Sequence, residues 1–371
     1  MYNLFTYPAH SLGRWLEWDL YATSPFSVSA LAPGPNETLW MAFGTRVVHY
    51  ANGHGSNVID LHEHLSSVNE LTAMHWWHEA LWLGGGMLLR LQEKRIEYIS
   101  MLPVDRIVSI IVDGQGRLVV AFSQKGVWRS SDGKQWEPIP LPNGMSHVYT
   151  CIGEAGGDIW VVAAREDEAR KRRNGTTHYL QIEYHDRNWM DSPMYVLHMT
   201  IDGQWLSIAT LPYPMQVLSL LIDYVGTMWL GVGNGRGQGV WRYQDEVWTH
   251  MRTRSQNSEQ QSLASSYSFA LAVDHGNRVW ACMLANNLLT IYTDTGIYPV
   301  ELVEDDHDAN VLTTWEGFVV MAAFWDRIRA RLWLGGGGGE LGWIDLNPDA
   351  DMLTSWVSGR RRAVFSQIPV E

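Results

Sequence analysis

Several short stretches carry residue types able to do chemistry. Asp60-Leu-His-Glu-His64 sets Asp60, His62 and His64 on one side of a strand by period two, a metal-ligand geometry. His75-Trp-Trp-His78 and Asp305-Asp-His-Asp308 also cluster ligating types, but neither comes with a second spaced ligand set, and His75 and His78 fall on opposite sides of a strand. No metal is therefore expected. Gly231-Val-Gly-Asn-Gly-Arg-Gly-Gln-Gly239 repeats glycine at every second position, and Gly335-Gly-Gly-Gly-Gly339 lacks a following Lys-Ser or Lys-Thr. Neither has the spacing of a phosphate-cradling loop, so both read as wide turns and no cofactor is expected. Nucleophile-elbow and zinc-protease signatures are absent from the sequence.

The elements that must position any site are set by a repeat. Leu39-Trp40-Met41-Ala42, Leu81-Trp82-Leu83-Gly84, Ile159-Trp160-Val161-Val162, Met228-Trp229-Leu230-Gly231, Val279-Trp280-Ala281-Cys282 and Leu332-Trp333-Leu334-Gly335 are copies of one strand, and Arg117-Leu118-Val119-Val120-Ala121 is a further copy with Leu118 in place of Trp. Spacing of roughly 40 to 50 residues suits four short strands per unit, the size of a propeller blade. A strand a precedes each copy, as in Val217-Leu-Ser-Leu-Leu-Ile-Asp223. Turns such as Asp113-Gly-Gln-Gly116, Asp223-Tyr-Val-Gly226 and Asp274-His-Gly-Asn277 supply the positive-φ residues of a hairpin into strand b. The expectation is an all-β chain, residues 1–371 forming a single closed β-propeller of about seven four-stranded blades. Arg14-Trp-Leu-Glu-Trp-Asp19 resembles the strand d segments, so an N-terminal strand is expected to complete the last blade. Residues 308 to 371 divide in two ways, with Phe318-Val-Val-Met-Ala-Ala-Phe324 as strand a or as strand b.

Ser219-Leu-Leu-Ile-Asp-Tyr-Val-Gly-Thr-Met-Trp-Leu-Gly-Val-Gly-Asn-Gly235, followed by Gly239-Val-Trp-Arg-Tyr243, resembles the two-component regulator propeller repeat. That resemblance implies seven-bladed sensor domains, usually extracytoplasmic and joined to a membrane helix and a kinase. Arg129-Ser-Ser-Asp-Gly-Lys-Gln-Trp136 resembles a shortened Asp-box of sialidase-type propellers, where the box is a structural turn remote from the catalytic centre.

A net charge of −13 repels phosphate backbones and anionic membranes, so neither nucleic acid nor membrane is an expected partner. The N-terminal residues lack a basic and apolar leader, and only Cys151 and Cys282 occur, both in apolar runs; a cytoplasmic protein with buried thiols is expected. The longest step in the repeat holds a charged insertion at about 165–193 in blade four, with Arg170, Lys171, Arg172 and Arg173 at its centre. By position it joins strands b and c, and b–c and d–a loops share one face of a propeller. Arg106, Lys125, His147, Tyr213, Arg236, Tyr267, Asn286 and His307 are assigned to the same face from other loops. The principal expectation is a non-catalytic interaction or scaffold propeller docking a protein partner there. The alternative is a small-molecule or carbohydrate binder using a central funnel. An enzyme of propeller fold is the third; streptogramin lyases are the nearest seven-bladed comparison, and no residue here matches their catalytic set.

Overall fold

The computed structural model describes residues 5–14, 28–51, 54–61, 70–93, 95–153, 157–165, 193–212, 215–233, 238–251, 268–283, 288–293, 296–304, 320–336 and 340–346. The chain is a seven-bladed β-propeller of antiparallel four-stranded blades. Blade one comprises Val28–Pro33, Leu39–Phe43, Arg46–Ala51 and His54–Asp60; blade two Ala73–Trp77, Ala80–Gly84, Leu88–Gln92 and Arg95–Tyr98. Blade three comprises Ile107–Val112, Leu118–Phe122, Gly126–Ser130 and Glu137–Ile139; blade four Met145–Gly153, Ile159–Arg165, Tyr195–Met199 and Trp205–Thr210. Blade five comprises Val217–Ile222, Met228–Val232, Gly239–Gln244 and Val247–His250; blade six Ser268–Val273, Val279–Met283, Leu288–Thr293 and Gly296–Glu304. In blade seven, strands a to c are Val320–Asp326, Arg331–Gly336 and Glu340–Asp345, and strand d is the N-terminal Phe5–Arg14.

That last pairing joins the two ends of the sequence. His10 lies opposite Trp343 and Arg14 opposite Glu340 in antiparallel register, while Phe5 to Ala9 run parallel to Val300 to Glu304 of blade six. The completing strand is thus Phe5–Arg14; Trp15 to Asp19 lie outside the described residues. The ambiguity in the C-terminal region resolves with Val320–Asp326 as strand a, and residues 347–371 lie outside the described residues.

Two compact units divide the chain: Met1–Ile59 with Leu221–Gly233 and Gln238–Glu371, and Asp60–Leu220 with Asn234–Gly237. In each, the core is built between neighbouring blades. Trp82, Ile107, Ile110 and Val120 bury together where blade two meets blade three, and Val119, Val148, Cys151 and Val161 where blade three meets blade four. In the other unit Trp229 packs with Val279 and Tyr292, Trp280 with Val320 and Leu332, and Trp333 with Val28 and Met41. A buried indole removes about 150–250 Å² from water, on the order of 4–6 kcal/mol at ~25 cal/mol/Å². The recurrent tryptophans of blades two, five, six and seven are buried as expected, but Trp40 and Trp160 are only half-buried and lie against His49 and His198. The glycine closing the Leu-Trp-Leu-Gly copies also has a packing cause. A Cβ on Gly84 would stand 2.6 Å from Ile107 of the next blade, and one on Gly335 2.4 Å from Val28.

A carboxylate at the end of strand a organises four of the blades. Asp274 Oδ1 accepts from the Gly276 and Arg278 amides at 2.9 and 3.1 Å, and Oδ2 from Arg278 Nε at 2.6 Å and Trp280 Nε1 at 2.8 Å. Asp223 does the same with the Val225 and Thr227 amides and the Trp229 indole. Asp326 takes the Ile328 and Arg329 amides, the Arg329 guanidinium and the Trp333 indole. Asp113 takes the Gln115 and Arg117 amides and Arg117 Nε. Each a–b turn so held ends on a left-handed residue, Gly116, Gly226, Asn277 or Ala330, where glycine and asparagine meet least strain. Blade three has no indole to offer, because Val119 and not Leu118 holds the place in strand b that Trp229 and Trp280 hold in blades five and six. Blade two replaces the device with a two-residue turn at His78 and Glu79, both with positive φ, and Trp82 donates instead to the Trp77 carbonyl.

Replacing Asp274 by alanine strands a buried guanidinium group and a buried indole. The expected loss is about 3–5 kcal/mol of unfolding free energy, read from denaturant midpoints, against about 1 kcal/mol or less for Asp132→Ala in an exposed turn. A loss at Asp274 no larger than that at Asp132 would contradict this role.

Candidate functional site

The described residues of the b–c and d–a ends form a hydrogen-bonded rim across blades two, three and four. The connection from blade two to blade three is anchored first. Ile99 N donates to the Leu88 carbonyl, Leu102 buries its side chain in the core, and Asp105 N and Ile107 N donate to Gly86 O and Gly85 O at 3.1 and 2.7 Å. Asp105 then ties this connection to the next b–c turn. Its Oδ1 accepts from Arg106 N at 2.8 Å and Ser123 Oγ at 3.0 Å, and its Oδ2 from Gln124 N at 2.6 Å. Ser123 N donates to Arg106 O at 2.8 Å, and Val148 N of blade four donates to Ser123 O at 3.1 Å. Three successive blades are thereby linked through backbone groups.

Three of the residues assigned from sequence lie on this rim. Arg106 immediately precedes strand a of blade three; Lys125 is exposed in the b–c turn, where its carbonyl accepts Trp128 Nε1 at 3.1 Å; His147 sits near the start of strand a of blade four, with Ser146 Oγ 3.1 Å from its Nδ1. Arg170, Lys171, Arg172, Arg173, Tyr213, Arg236, Tyr267, Asn286 and His307 lie outside the described residues. The flanking strands do place residues 166–192 between strands b and c of blade four. Sequence reading missed Asp105 and Ser123, which build the rim, and Met101 and Val104, which stand exposed on it at 69% and 72%. An acid next to Arg106 at the mouth of a strand, preceded by the apolar run Met101-Leu-Pro-Val104, was the available signal.

The other chemical candidates that fall among the described residues are structural groups, while Asp305 to Asp308 and parts of both glycine runs lie outside them. Among the described residues no group of three or more His, Cys, Asp or Glu side chains is placed to hold a metal. His62 and His64 lie outside the described residues. His78 is not on a strand: it occupies the a–b turn of blade two and stacks on Trp77 with ring centroids 3.9 Å apart. Asp158 bonds His198 Nε2 at 2.6 Å and the Ile201 amide at 2.9 Å, while Trp160 stacks on the imidazole, which spends the pair on fixing a turn. The Asp-box-like segment is likewise a turn. Asp132 accepts from the Gln135 and Lys134 amides, which hold its carboxyl below the usual carboxylate range, and Trp136 meets Trp82 edge to face. Cys151 and Cys282 are buried free thiols whose pKa burial pushes up. Neither has the thiolate character a nucleophile needs.

No sequence-family model matches the chain, and no curated protein sequence does. Solved structures do resemble it. Among them are YCF48 bound to D1 peptide (TM-score 0.59, 13% identity, covering 94% of this chain and 100% of that one). Another is the extracellular domain of the putative hybrid two-component system BT4673 from B. thetaiotaomicron (TM-score 0.60, 15% identity, 93% of this chain and 40% of that one). A third is virginiamycin B lyase from Staphylococcus aureus with quinupristin (TM-score 0.61, 10% identity, 92% and 100%). At these identities the likeness establishes the β-propeller class.

Burial also sets a pH dependence. Desolvation pushes the His75 imidazole in strand a of blade two below its usual 6.5. The folded chain therefore keeps His75 neutral while the unfolded chain takes up the proton first, and stability falls as pH drops below 6.5. A His75→Phe variant is expected to lose stability less steeply between about pH 7.5 and about pH 5.5, measured as urea midpoints. Equal slopes in the two proteins would contradict this.

Proposed function

We propose that this chain is a non-catalytic scaffold propeller that docks a protein partner on its b–c and d–a loops. The observation that carries the reading is the rim. Backbone bonds running from Gly86 through Asp105 and Ser123 to Val148 fix the positions from which Met101, Val104, Arg106, Lys125 and His147 are presented. A surface preorganised in this way loses little conformational freedom on binding. Exposed apolar side chains beside cationic ones give a partner both area and register. The basic run Arg170 to Arg173 falls in sequence between strands b and c of blade four.

YCF48, which shares the fold, has been solved with a bound peptide, and this supports a protein partner over a small ligand. The likeness of Ser219–Gly235 and Gly239–Tyr243 to the two-component regulator repeat, together with the BT4673 domain, favours a signalling setting. Two buried free thiols fit a cytoplasmic location.

Affinity capture from native lysate tests the reading with three proteins: the intact chain, Arg106→Glu with Lys125→Glu, and a chain whose residues 165–177 are replaced by a Gly-Ser linker. A stoichiometric protein retained by the intact chain and reduced about tenfold or more by either change is expected. Equal retention by all three places docking elsewhere and overturns the proposal. Capture of no protein by any of them turns the account toward a small ligand, the kind that virginiamycin B lyase holds as quinupristin.

A further inference from the structure

The a–b turns of the unit containing blades five, six, seven and one carry a second surface. Tyr224 and Val225 of blade five are 51% and 72% exposed, and Ile328 of blade seven is 86% exposed. These side chains are not scattered. Tyr224 N donates to Asn277 Oδ1 of blade six at 2.8 Å, and the Arg327 guanidinium of blade seven lies over the Tyr224 ring, 5.8 Å from its centroid. Ile328 follows Arg327 and Val225 follows Tyr224, so the Arg327–Tyr224 contact joins two turns from non-adjacent blades that each carry a further exposed apolar residue. Exposed apolar residues on two turns joined through a guanidinium form a candidate interaction surface.

The patch is rigid for the reason the blades are. Asp223 accepts the Val225 amide and Asp326 accepts the Ile328 amide, so the buried carboxylates that anchor the indoles also fix the backbone from which the exposed side chains project. Its charge is one-sided. Arg329 is matched by Asp326 and Glu37, whereas Arg327 is held by a ring among the described residues and not by a carboxylate. A guanidinium over an aromatic face retains all its hydrogen-bond donors for a second partner.

We propose that this patch docks an acidic segment of a partner protein, with a carboxylate on Arg327 and an apolar side chain between Tyr224, Val225 and Ile328. The site is independent of the loop rim, and its test is read in a background where the rim is disabled by Arg106→Glu with Lys125→Glu. Three short fluorescein-labelled peptides are titrated by anisotropy: glutamates alternating with leucine and phenylalanine, the same with lysines for glutamates, and the same with serines for the apolar residues. The acidic apolar peptide is expected to bind about tenfold or more tightly than either of the others. Arg327→Glu is expected to weaken it by about tenfold or more, Ile328→Ser by about fivefold, and higher salt progressively. Both patch side chains changed, Arg327 and Ile328, are exposed, and circular dichroism melting curves report that the fold is kept.

Equal binding of the acidic and basic peptides, or no binding of any peptide, overturns the proposal. So does binding unaffected by Arg327→Glu. A concentration-dependent increase in mass that Arg327→Glu abolishes assigns the patch to a second copy of this chain, and that too overturns it. None of these outcomes bears on the rim, whose own test uses the rim variants.

Discussion

A carboxylate buried at the end of strand a is the interaction on which the rest of this propeller leans. Taking an ionised aspartate out of water is costly, and the cost is offset only if every lone pair is met with good geometry. Asp274 is fully buried and meets that condition with two turn amides, a guanidinium and an indole. One side chain thereby fixes the turn into strand b, the orientation of the strand b tryptophan, and through that tryptophan the contact with the next blade. Where the indole is missing, as in blade three, Arg117 takes the second oxygen and the turn survives unchanged. Blade two abandons the carboxylate altogether, and its two-residue turn requires positive φ at two non-glycine positions.

The proposed docking roles rest on the same rigidity at both ends of the strands. At the b–c and d–a end of blades two to four, Asp105 repeats the strategy on a smaller scale, joining a loop to the neighbouring turn through its two oxygens. At the a–b end of blades five and seven, the clasp that holds the indoles leaves Val225 and Ile328 facing solvent from fixed backbone. Among the described residues the thiols are buried and the Asp158–His198 pair is occupied by a turn. What the described residues of both ends offer is placement, which is what the proposed docking requires.

Much of this was legible in the residues. The blade repeat, the hairpin turns and an N-terminal strand completing the last blade follow from tryptophan spacing and turn chemistry, because both are local signals. The completing strand is Phe5–Arg14, whose partner is distant in sequence and leaves no local signal, while Trp15 to Asp19, which imitate strand d in composition, lie outside the described residues. Aligning Leu118 with the tryptophans failed by one residue because an apolar run carries no internal register. The aspartate clasp is visible as a step of 6 from Asp223 to Trp229 and from Asp274 to Trp280 and of 7 from Asp326 to Trp333, but in sequence the aspartates signal only a turn. Asp105, Met101 and Val104 could not be ranked from sequence, since their importance lies in contacts between blades. Tyr224, Arg327 and Ile328 come together only in three dimensions.

The central claim is that buried carboxylates hold the a–b turns as firmly as the strands they join. Site-resolved amide hydrogen exchange at Val225, Gly276, Arg278 and Ile328 tests it most directly. The account expects these turn amides to exchange as slowly as those of the adjoining strand b, despite the exposure of Val225 and Ile328. Exchange at the rates of a free peptide, with strand b still protected, would contradict it.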